Sequence, residues 1–132
     1  DGVATLSQVA AAAACSEAGL AWLAAFLTHL HQRRDQTLAA LGAIPGLSVS
    51  CPDATYVTFV GLPPGGEAAE ALVERLRRDH GLALVPGSPR WFGPGGAGHV
   101  RLCFATSEGI LAEGLRRFAA GMAAAPSQPE AG

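Results

Sequence analysis

The stretch Gly81–Leu115, GLALVPGSPRWFGPGGAGHVRLCFATSEGILAEGL, decides the fold of this chain. Leu82 to Val85 is apolar and short, which predicts a strand. Pro86 to Gly98 is rich in proline and glycine and predicts a long loop. His99 to Phe104 then predicts a second strand. We therefore expect two strands joined by a glycine-rich excursion.

The second of these strands has two chemically different faces, because successive side chains of a strand point to opposite sides of its sheet. One face carries His99, Arg101 and Cys103, and the other carries Val100, Leu102 and Phe104. Thr106 or Ser107 is a suitable cap for the helix that follows, and Glu108 falls in its first turn. We therefore expect Arg101 to lie on the face of the strand opposite Val100, Leu102 and Phe104.

Two further strands and a helix precede this stretch. Leu47–Ser50 and Thr55–Val60 predict strands, and Glu67–His80 has the apolar spacing of an amphipathic helix that ends at Gly81. The resulting order is ββαββα. We expect an α+β fold with a small, mainly antiparallel sheet of about four strands and helices on one face.

The N-terminal third is helical in pattern. Thr5–Glu17 is alanine-rich, and Gly19 predicts a break. From Leu20 to Leu41 the apolar positions keep a helical period, and Gly42 ends the helix. A helix of about twenty residues spans ~30 Å, more than so small a domain needs, so we expect it to connect two bodies.

These patterns divide the chain into three expected parts. Residues 1–42 form a helical lead-in and an interdomain helix. Residues 43–122 form the small domain, and residues 123–132 are a tail or linker. The start at Asp1, without an initiator methionine, indicates either a piece of a longer polypeptide or an engineered fragment.

Composition excludes several classes of function. The net charge is −2 and the nine basic residues are scattered, which argues against nucleic-acid binding. No apolar run reaches the ~18 residues of a membrane span. The three cysteines fit neither a zinc site nor a disulfide framework, and no histidine has a partner at ligand spacing, so we expect free thiols, a cytoplasmic location and no metal.

Four ordered motifs resemble the C-terminal small domain of fold-type I pyridoxal-phosphate enzymes, the aminotransferase class I and II superfamily. The motifs are the helix Ala4–Leu41 with R-R-D at Arg33–Asp35, Ile44–Leu47 followed by Pro52–Tyr56, Leu84–Ser88 followed by Phe92-Gly93, and R-L-x-F-A from Arg101. The resemblance covers roughly residues 4–121.

The resemblance implies that Arg101 binds the α-carboxylate of an amino-acid substrate. A guanidinium suits this role because its two parallel N–H donors match a carboxylate and its charge persists at any relevant pH. The resemblance also implies a homodimer, and a substrate pocket for which the candidates are Tyr56, Ser88, Trp91 and Phe92.

Pyridoxal 5'-phosphate is the cofactor that the resemblance implies. Enzymes hold it as a Schiff base on a lysine amine. All nine basic residues of this chain are arginines, so there is no catalytic lysine and the chain alone is expected to be inactive. The resemblance also implies that residues 1–42 are the tail of a large domain outside this chain, and that the cofactor would be bound mainly by that domain.

Within the superfamily, Thr55-Tyr56 and the pattern from Phe92 to Arg101 are most similar to the cystathionine β-lyase branch. The implied reaction is β-elimination from a cysteine-like substrate. The chain departs from that branch at Pro89–Trp91, which lengthens the loop, and at Cys103, where the branch often has asparagine. Two alternatives stay open: an aminotransferase of the same superfamily, and a non-catalytic pairing or regulatory module with the same fold.

Overall fold

The computed structural model describes residues 2–124 and divides the chain into two compact units. The first unit ends at Gln32 and the second begins at Arg33. This division falls inside a helix, whereas the sequence analysis placed a boundary after residue 42, so the three-part division stays a prediction. The expected tail at 123–132 lies outside the described residues except for Ala123 and Ala124, of which Ala123 still belongs to the last helix.

Helix α1, Thr5–Ala14, and the first part of α2, Glu17–Gly42, form the first unit. The helical break lies before Glu17 and not at Gly19, where we expected it. Ser16 explains the position of the break, because its Oγ donates to the carbonyl of Ala13 (2.7 Å) and accepts a bond from the amide of Gly19 (3.2 Å). The hydroxyl of Ser16 thus bonds both to the end of α1 and to the first turn of α2, and α2 begins at the next residue, Glu17.

Among residues 2–124, no single helix is long and apolar enough to cross a membrane. Helices α1 and α2 meet the length and composition of a span only when taken together, and the chain bends by 65° between them.

The second unit contains the end of α2 and a four-stranded sheet with its helices. Its strands are β1 (Ser48–Val49), β2 (Val57–Gly61), β3 (Val85–Pro86) and β4 (His99–Cys103). Its further helices are α3 (Ala69–His80), α4 (Pro89–Phe92) and α5 (Glu108–Ala123), and a 3-10 turn covers Pro94–Gly96. The order along the chain confirms the predicted alternation of strands and helices.

All strand pairs of the sheet are antiparallel, and the strand order is β1-β2-β4-β3. Strands β2 and β4 lie at the centre and pair from Val57 opposite Cys103 to Gly61 opposite His99. The predicted α+β class with about four mainly antiparallel strands is therefore confirmed.

The structure differs from the prediction around the third strand and its loop. Strand Leu82–Val85 was expected, but only Val85 and Pro86 pair with β4. The expected loop Pro86–Gly98 contains α4, which starts at Pro89. Proline is favoured at the first position of a helix because its φ is already helical and its missing amide needs no partner there.

The core lies between one face of the sheet and the helices α3 and α5. The buried apolar side chains of the strands and helices are Val60, Val100, Leu102, Phe104, Leu72, Leu76, Leu111, Leu115 and Phe118. Strand β4 thus buries the apolar face that the sequence predicts, and the face of Arg101 lies on the other side of the sheet, away from the core.

Candidate functional site

Arg101 lies at the middle of β4 on the sheet face opposite the core. Antiparallel pairing aligns it with Phe59 of β2 on one side and with Val85 of β3 on the other. Directly paired residues share a sheet face, so an aromatic and an aliphatic side chain flank the arginine. Arg101 itself is half-buried.

Phe92 completes the surroundings of the guanidinium. The Cζ atom of Arg101 lies 5.6 Å from the centre of the Phe92 ring, within the range of a cation–π contact. The Phe92 ring in turn meets the ring of Phe59 edge to face, with 5.1 Å between centroids. We call Phe59 and Phe92 the aromatic shelf. The Phe92 ring lies beneath the guanidinium of Arg101, and Phe59 contacts that ring.

The backbone of the loop fixes the position of Phe92. The amide of Gly87 donates to the carbonyl of His99 on β4 (2.8 Å). The amides of Trp91 and Phe92 both donate to the carbonyl of Ser88 (3.0 Å each), which closes the single turn of α4. The loop is therefore tied to the strand that carries Arg101.

Arg101 differs from most arginines of the chain in its charge balance. All nine arginines lie in the described residues, and seven of them form an ion pair with a carboxylate. Within residues 2–124, Arg90 and Arg101 have no such partner. Each instead lies over an aromatic ring, Arg90 over Trp91 at 5.2 Å and Arg101 over Phe92. An unneutralised guanidinium on a rigid support is suited to bind an anion.

The structure places the predicted pocket residues at different distances from this arrangement. Phe92 contacts Arg101, whereas Trp91 is 73% exposed and contacts Arg90. Ser88 contributes its backbone carbonyl to α4 and makes no side-chain cap hydrogen bond. The carbonyl of Tyr56 accepts a hydrogen bond from the amide of Phe104 (3.0 Å). Tyr56 thus lies one residue beyond Val57, the last residue at that end of β2 that is paired with β4. A substrate contact by Tyr56, Ser88 or Trp91 stays a prediction.

Phe59 belongs to this arrangement but is missing from the residues predicted from sequence, and so is Arg90, whose guanidinium lies over Trp91. Phe59 could have been found, because pairing the predicted strand Thr55–Val60 with His99–Phe104 in the correct register puts it beside Arg101. Arg90 had a weaker signal, since it lies in the segment Pro89–Trp91 that lengthens the loop. Only the structure shows that Arg90 lacks a carboxylate partner within residues 2–124, because the ion pairs of the other arginines depend on the fold.

A groove of about 210 Å³ lies along the β3 edge of the sheet and borders Arg101. It opens because Leu82–Leu84 do not pair with β4, so the chain there diverges from Leu102 and Cys103. Helix α5 contributes Ile110 and Leu111 to its wall. The groove is mainly apolar and separate from the aromatic shelf.

The neighbouring titratable groups on the face of Arg101 are His99 and Cys103. The Nδ1 atom of His99 lies 2.9 Å from the carbonyl oxygen of Ala97. Since a carbonyl oxygen can only accept, the Nδ1–H group of His99 is the donor of this hydrogen bond. Cys103 is exposed and its thiol is free. Within residues 2–124, no three histidine, cysteine, aspartate or glutamate residues come together in a metal-binding group.

Comparison with known protein families gives a match to the aminotransferase class I and II model over residues 3–118. This range includes both central strands, the aromatic shelf and Arg101.

Individual relatives include both transaminases and lyases. The chain is 37% identical to the arginine–pyruvate transaminase of Pseudomonas aeruginosa over 81% of its length, and 30% identical to the cystathionine β-lyase of Bacillus subtilis over 92%. It spans only 27% and 31% of those two proteins. Among solved structures, the alanine aminotransferase of Pyrococcus furiosus matches 76% of this chain with a TM-score of 0.71 and 30% identity, and the match covers 25% of that enzyme.

Proposed function

The chain belongs to the aminotransferase class I and II family, and on that premise we propose that it is the substrate-carboxylate-binding domain of a pyridoxal-phosphate-dependent C–S β-lyase. The observation that carries this proposal is the state of Arg101. It is half-buried, rests on Phe92 and has no carboxylate partner in the described part of the chain. Arg101 would hold the α-carboxylate of a cysteine-like substrate.

The geometry supports orientation of the substrate by two features. A bidentate bond from a guanidinium to a carboxylate fixes the plane of that carboxylate as well as its position. The aromatic shelf would limit the movement of the guanidinium, because Arg101 contacts the Phe92 ring and that ring packs against Phe59. Holding a reactant in one orientation is a large part of what an enzyme contributes to a rate.

The residues of this chain do not fit the cofactor as its holder. The chain contains no lysine, whereas pyridoxal phosphate needs a lysine amine for its covalent attachment. We therefore propose that a larger domain of the same protein carries the cofactor and its lysine, and that the present chain contributes the carboxylate site. A cytoplasmic homodimer is part of the same proposal.

β-Elimination is preferred over transamination because the alignment with the cystathionine β-lyase extends over more of the chain than that with the transaminase. Elimination from a cysteine-like substrate releases pyruvate, ammonia and a thiol.

An aminotransferase is the second candidate, and the higher identity to the arginine–pyruvate transaminase favours it. A non-catalytic module of the same fold is the third, favoured by the missing lysine. A protein that gives neither reaction in its full-length form would support the third candidate.

The test uses the full-length protein with a cysteine-like substrate, and separately with an amino acid and an α-keto acid. Pyruvate and ammonia from the first mixture indicate a lyase, and a new amino acid from the second indicates an aminotransferase. We expect Arg101→Ala to raise KM roughly ten- to a hundredfold, the range for a lost charge-assisted bond, while the yellow colour of the cofactor persists. A variant that loses the colour and keeps its KM would refute the proposed role of Arg101.

A further inference from the structure

A row with two polar side chains crosses three strands of the sheet on the face of Arg101. Ser48 of β1 pairs with Gly61 of β2, and Gly61 pairs with His99 of β4. We call Ser48, Gly61 and His99 the polar row. We propose that it is a substrate subsite for a neutral hydrogen-bonding group, so that the preferred substrate is an amino acid whose side chain ends in a group such as a hydroxyl. This inference rests on the proposed function, since Arg101 must hold the α-carboxylate for the polar row to bind the other end of the substrate.

The strand register places the polar row next to Arg101. His99 and Arg101 are two residues apart on β4, and their partners on β2 are Gly61 and Phe59. Because side chains two residues apart on a strand share a face, His99 and Arg101 lie on the same side of the sheet. Two residues of a strand advance by only ~6.6 Å. A cysteine thioether with a short substituent is long enough to span a separation of that order.

Gly61 lets the two polar side chains come together because it has no side chain of its own. A Cβ atom on Gly61 would collide with Oγ of Ser48 and would lie 3.3 Å from Nε2 of His99. The hydroxyl and the imidazole therefore both lie over this one glycine. A hydrogen bond spans ~2.8 Å between heavy atoms, so one small polar group between the two side chains can bond to both.

The hydrogen bonds of the polar row leave one atom of each side chain for a ligand. The Nδ1–H group of His99 donates to the carbonyl of Ala97 (2.9 Å), and Nε2 faces Gly61. Within residues 2–124, neither Nε2 of His99 nor Oγ of Ser48 forms a hydrogen bond. Ser48 is exposed and His99 is half-buried, so a ligand can reach both side chains.

The chemistry of the polar row favours a neutral group over a charged one. A hydroxyl can both donate to one partner and accept from the other. An ammonium group would find no counter-charge on the three neighbouring strands, since residues 54–66 and 81–107, which include β2, β3 and β4, contain no aspartate or glutamate. A distal carboxylate would find no arginine in the row, because Arg101 already holds the α-carboxylate in the proposed function.

The experiment compares two substrates that differ in one terminal group. S-hydroxyethylcysteine ends in a hydroxyl, and S-propylcysteine has a methyl group of similar size in its place. With the full-length enzyme we expect a higher kcat/KM for the hydroxyl substrate. His99→Phe keeps a ring but removes the hydrogen bond, so it should lower that value about three- to tenfold while changing the value for the propyl substrate less than about twofold. Should the protein be an aminotransferase, homoserine and norvaline serve as the corresponding pair.

Three further variants separate hydrogen bonding from a general effect on the sheet. His99→Gln has a side-chain amide that can take the place of Nε2, and it should retain part of the preference for the hydroxyl. Gly61→Ala puts a methyl group between Ser48 and His99 and should lower the preference. Cys103→Ala is the matched control, because Cys103 lies on the same strand face, two residues from Arg101 on the side away from His99. It should leave the ratio of the two kcat/KM values unchanged.

Binding gives a second measurement that does not depend on turnover, with analogues that lack the α-amino group. By calorimetry, the hydroxyethyl thioether of mercaptopropanoate should bind the full-length protein more tightly than the propyl thioether, and His99→Phe should remove the difference. An equal loss for both substrates in His99→Phe, a preference of the unaltered enzyme for the propyl compound, or the same change of ratio in Cys103→Ala would overturn the inference. Failure of the proposed function is a different result, since Arg101→Ala would then leave the binding of both analogues unaffected.

Discussion

Gly96 and Phe92 approach each other so closely that a Cβ atom on Gly96 would lie 2.8 Å from the Cβ of Phe92. The same added atom would lie 2.9 Å from the carbonyl oxygen of Gly87. Both distances are shorter than van der Waals contact, so only glycine fits between the two segments of the loop. The position of the ring under Arg101 therefore depends on a residue that never touches the arginine.

Replacement of Gly96 should affect carboxylate binding. In Gly96→Ala the new methyl group displaces Phe92, and Arg101 loses a contact worth about 0.5–1 kcal/mol. We expect KM to rise about two- to fivefold with little change in the circular dichroism spectrum. Gly95→Ala is the control, because no atom lies within 4 Å of a Cβ at that position. An unchanged KM in Gly96→Ala would show that the shelf is not needed.

Helices α3 and α5 make a comparable close contact at Gly121. A Cβ there would collide with Cδ2 of Leu76, which is fully buried and cannot turn away. Gly121→Ala should therefore destabilise the domain by about 1–3 kcal/mol, as overpacking does. Gly114→Ala, on the same helix but with its nearest neighbour at 3.8 Å, should be neutral or stabilise by up to ~1 kcal/mol. Hydrogen exchange of the α3 and α5 amides in the full-length protein measures both effects, and equal values for the two variants would contradict this interpretation.

Arg75 connects the start of α3 to the end of α5. It donates from Nε and Nη2 to the carboxylate of Glu67 and from Nη1 to the carbonyl of Gly121, at 2.7–3.2 Å. The pair is largely buried, so Arg75→Met would leave a desolvated carboxylate and an unpaired carbonyl. We expect a loss of about 3 kcal/mol, measured by the same exchange experiment. Arg77→Met, which breaks an exposed pair with Glu74, should destabilise the domain much less, because exposed ion pairs contribute little to stability.

Glu113 contributes to the pH dependence of the free energy of unfolding. Its hydrogen bonds to Arg116 and then to Arg117 hold the pKa of the carboxyl at about 2, below its ordinary value of 4.5. Because the folded pKa is the lower one, this contribution is fully present above pH 4.5 and is lost as the pH falls toward 2. Glu113→Gln should therefore be less stable than the unaltered protein at pH 7 and equal to it at pH 2. Because the carboxyl is exposed, the difference in stability between the two proteins should be small. It should shrink further in 1 M salt, where the screening length is only ~3 Å. A difference that persists at pH 2 would point to packing instead of charge.

The strand and helix order was predictable because it depends on local rules. Alternation in His99–Phe104 predicted which side chains share a face of the strand, and the amphipathic spacing of Glu67–His80 predicted α3 to within two residues of its start. The break before α2 was not predictable, because it depends on the hydroxyl of Ser16 and not on Gly19. Likewise, Leu82–Leu84 has the composition of a strand, but these residues do not pair with β4.

The motif made Arg101 a candidate and the loop sequence made Phe92 a candidate; the structure brings these two side chains together, and their roles toward a substrate stay predictions. Phe59 was not predicted, because its relation to Arg101 is set by the register of two strands that are about forty residues apart. Arg90 was not predicted either. Whether an arginine has a carboxylate partner depends on all the carboxylates that the fold brings within its reach, and the sequence does not show these.

The sequence by itself determined the order of the elements, the apolar side of the sheet and the absence of a lysine, since each of these is a property of neighbouring residues or of composition. Only the tertiary structure decided that a phenylalanine from β2 and another from α4 meet beneath one guanidinium, and that two of nine arginines have no carboxylate partner in the described residues. The physical reason is that strand register, loop closure and charge pairing join residues distant in the chain, and these are fixed by the packing of the whole domain.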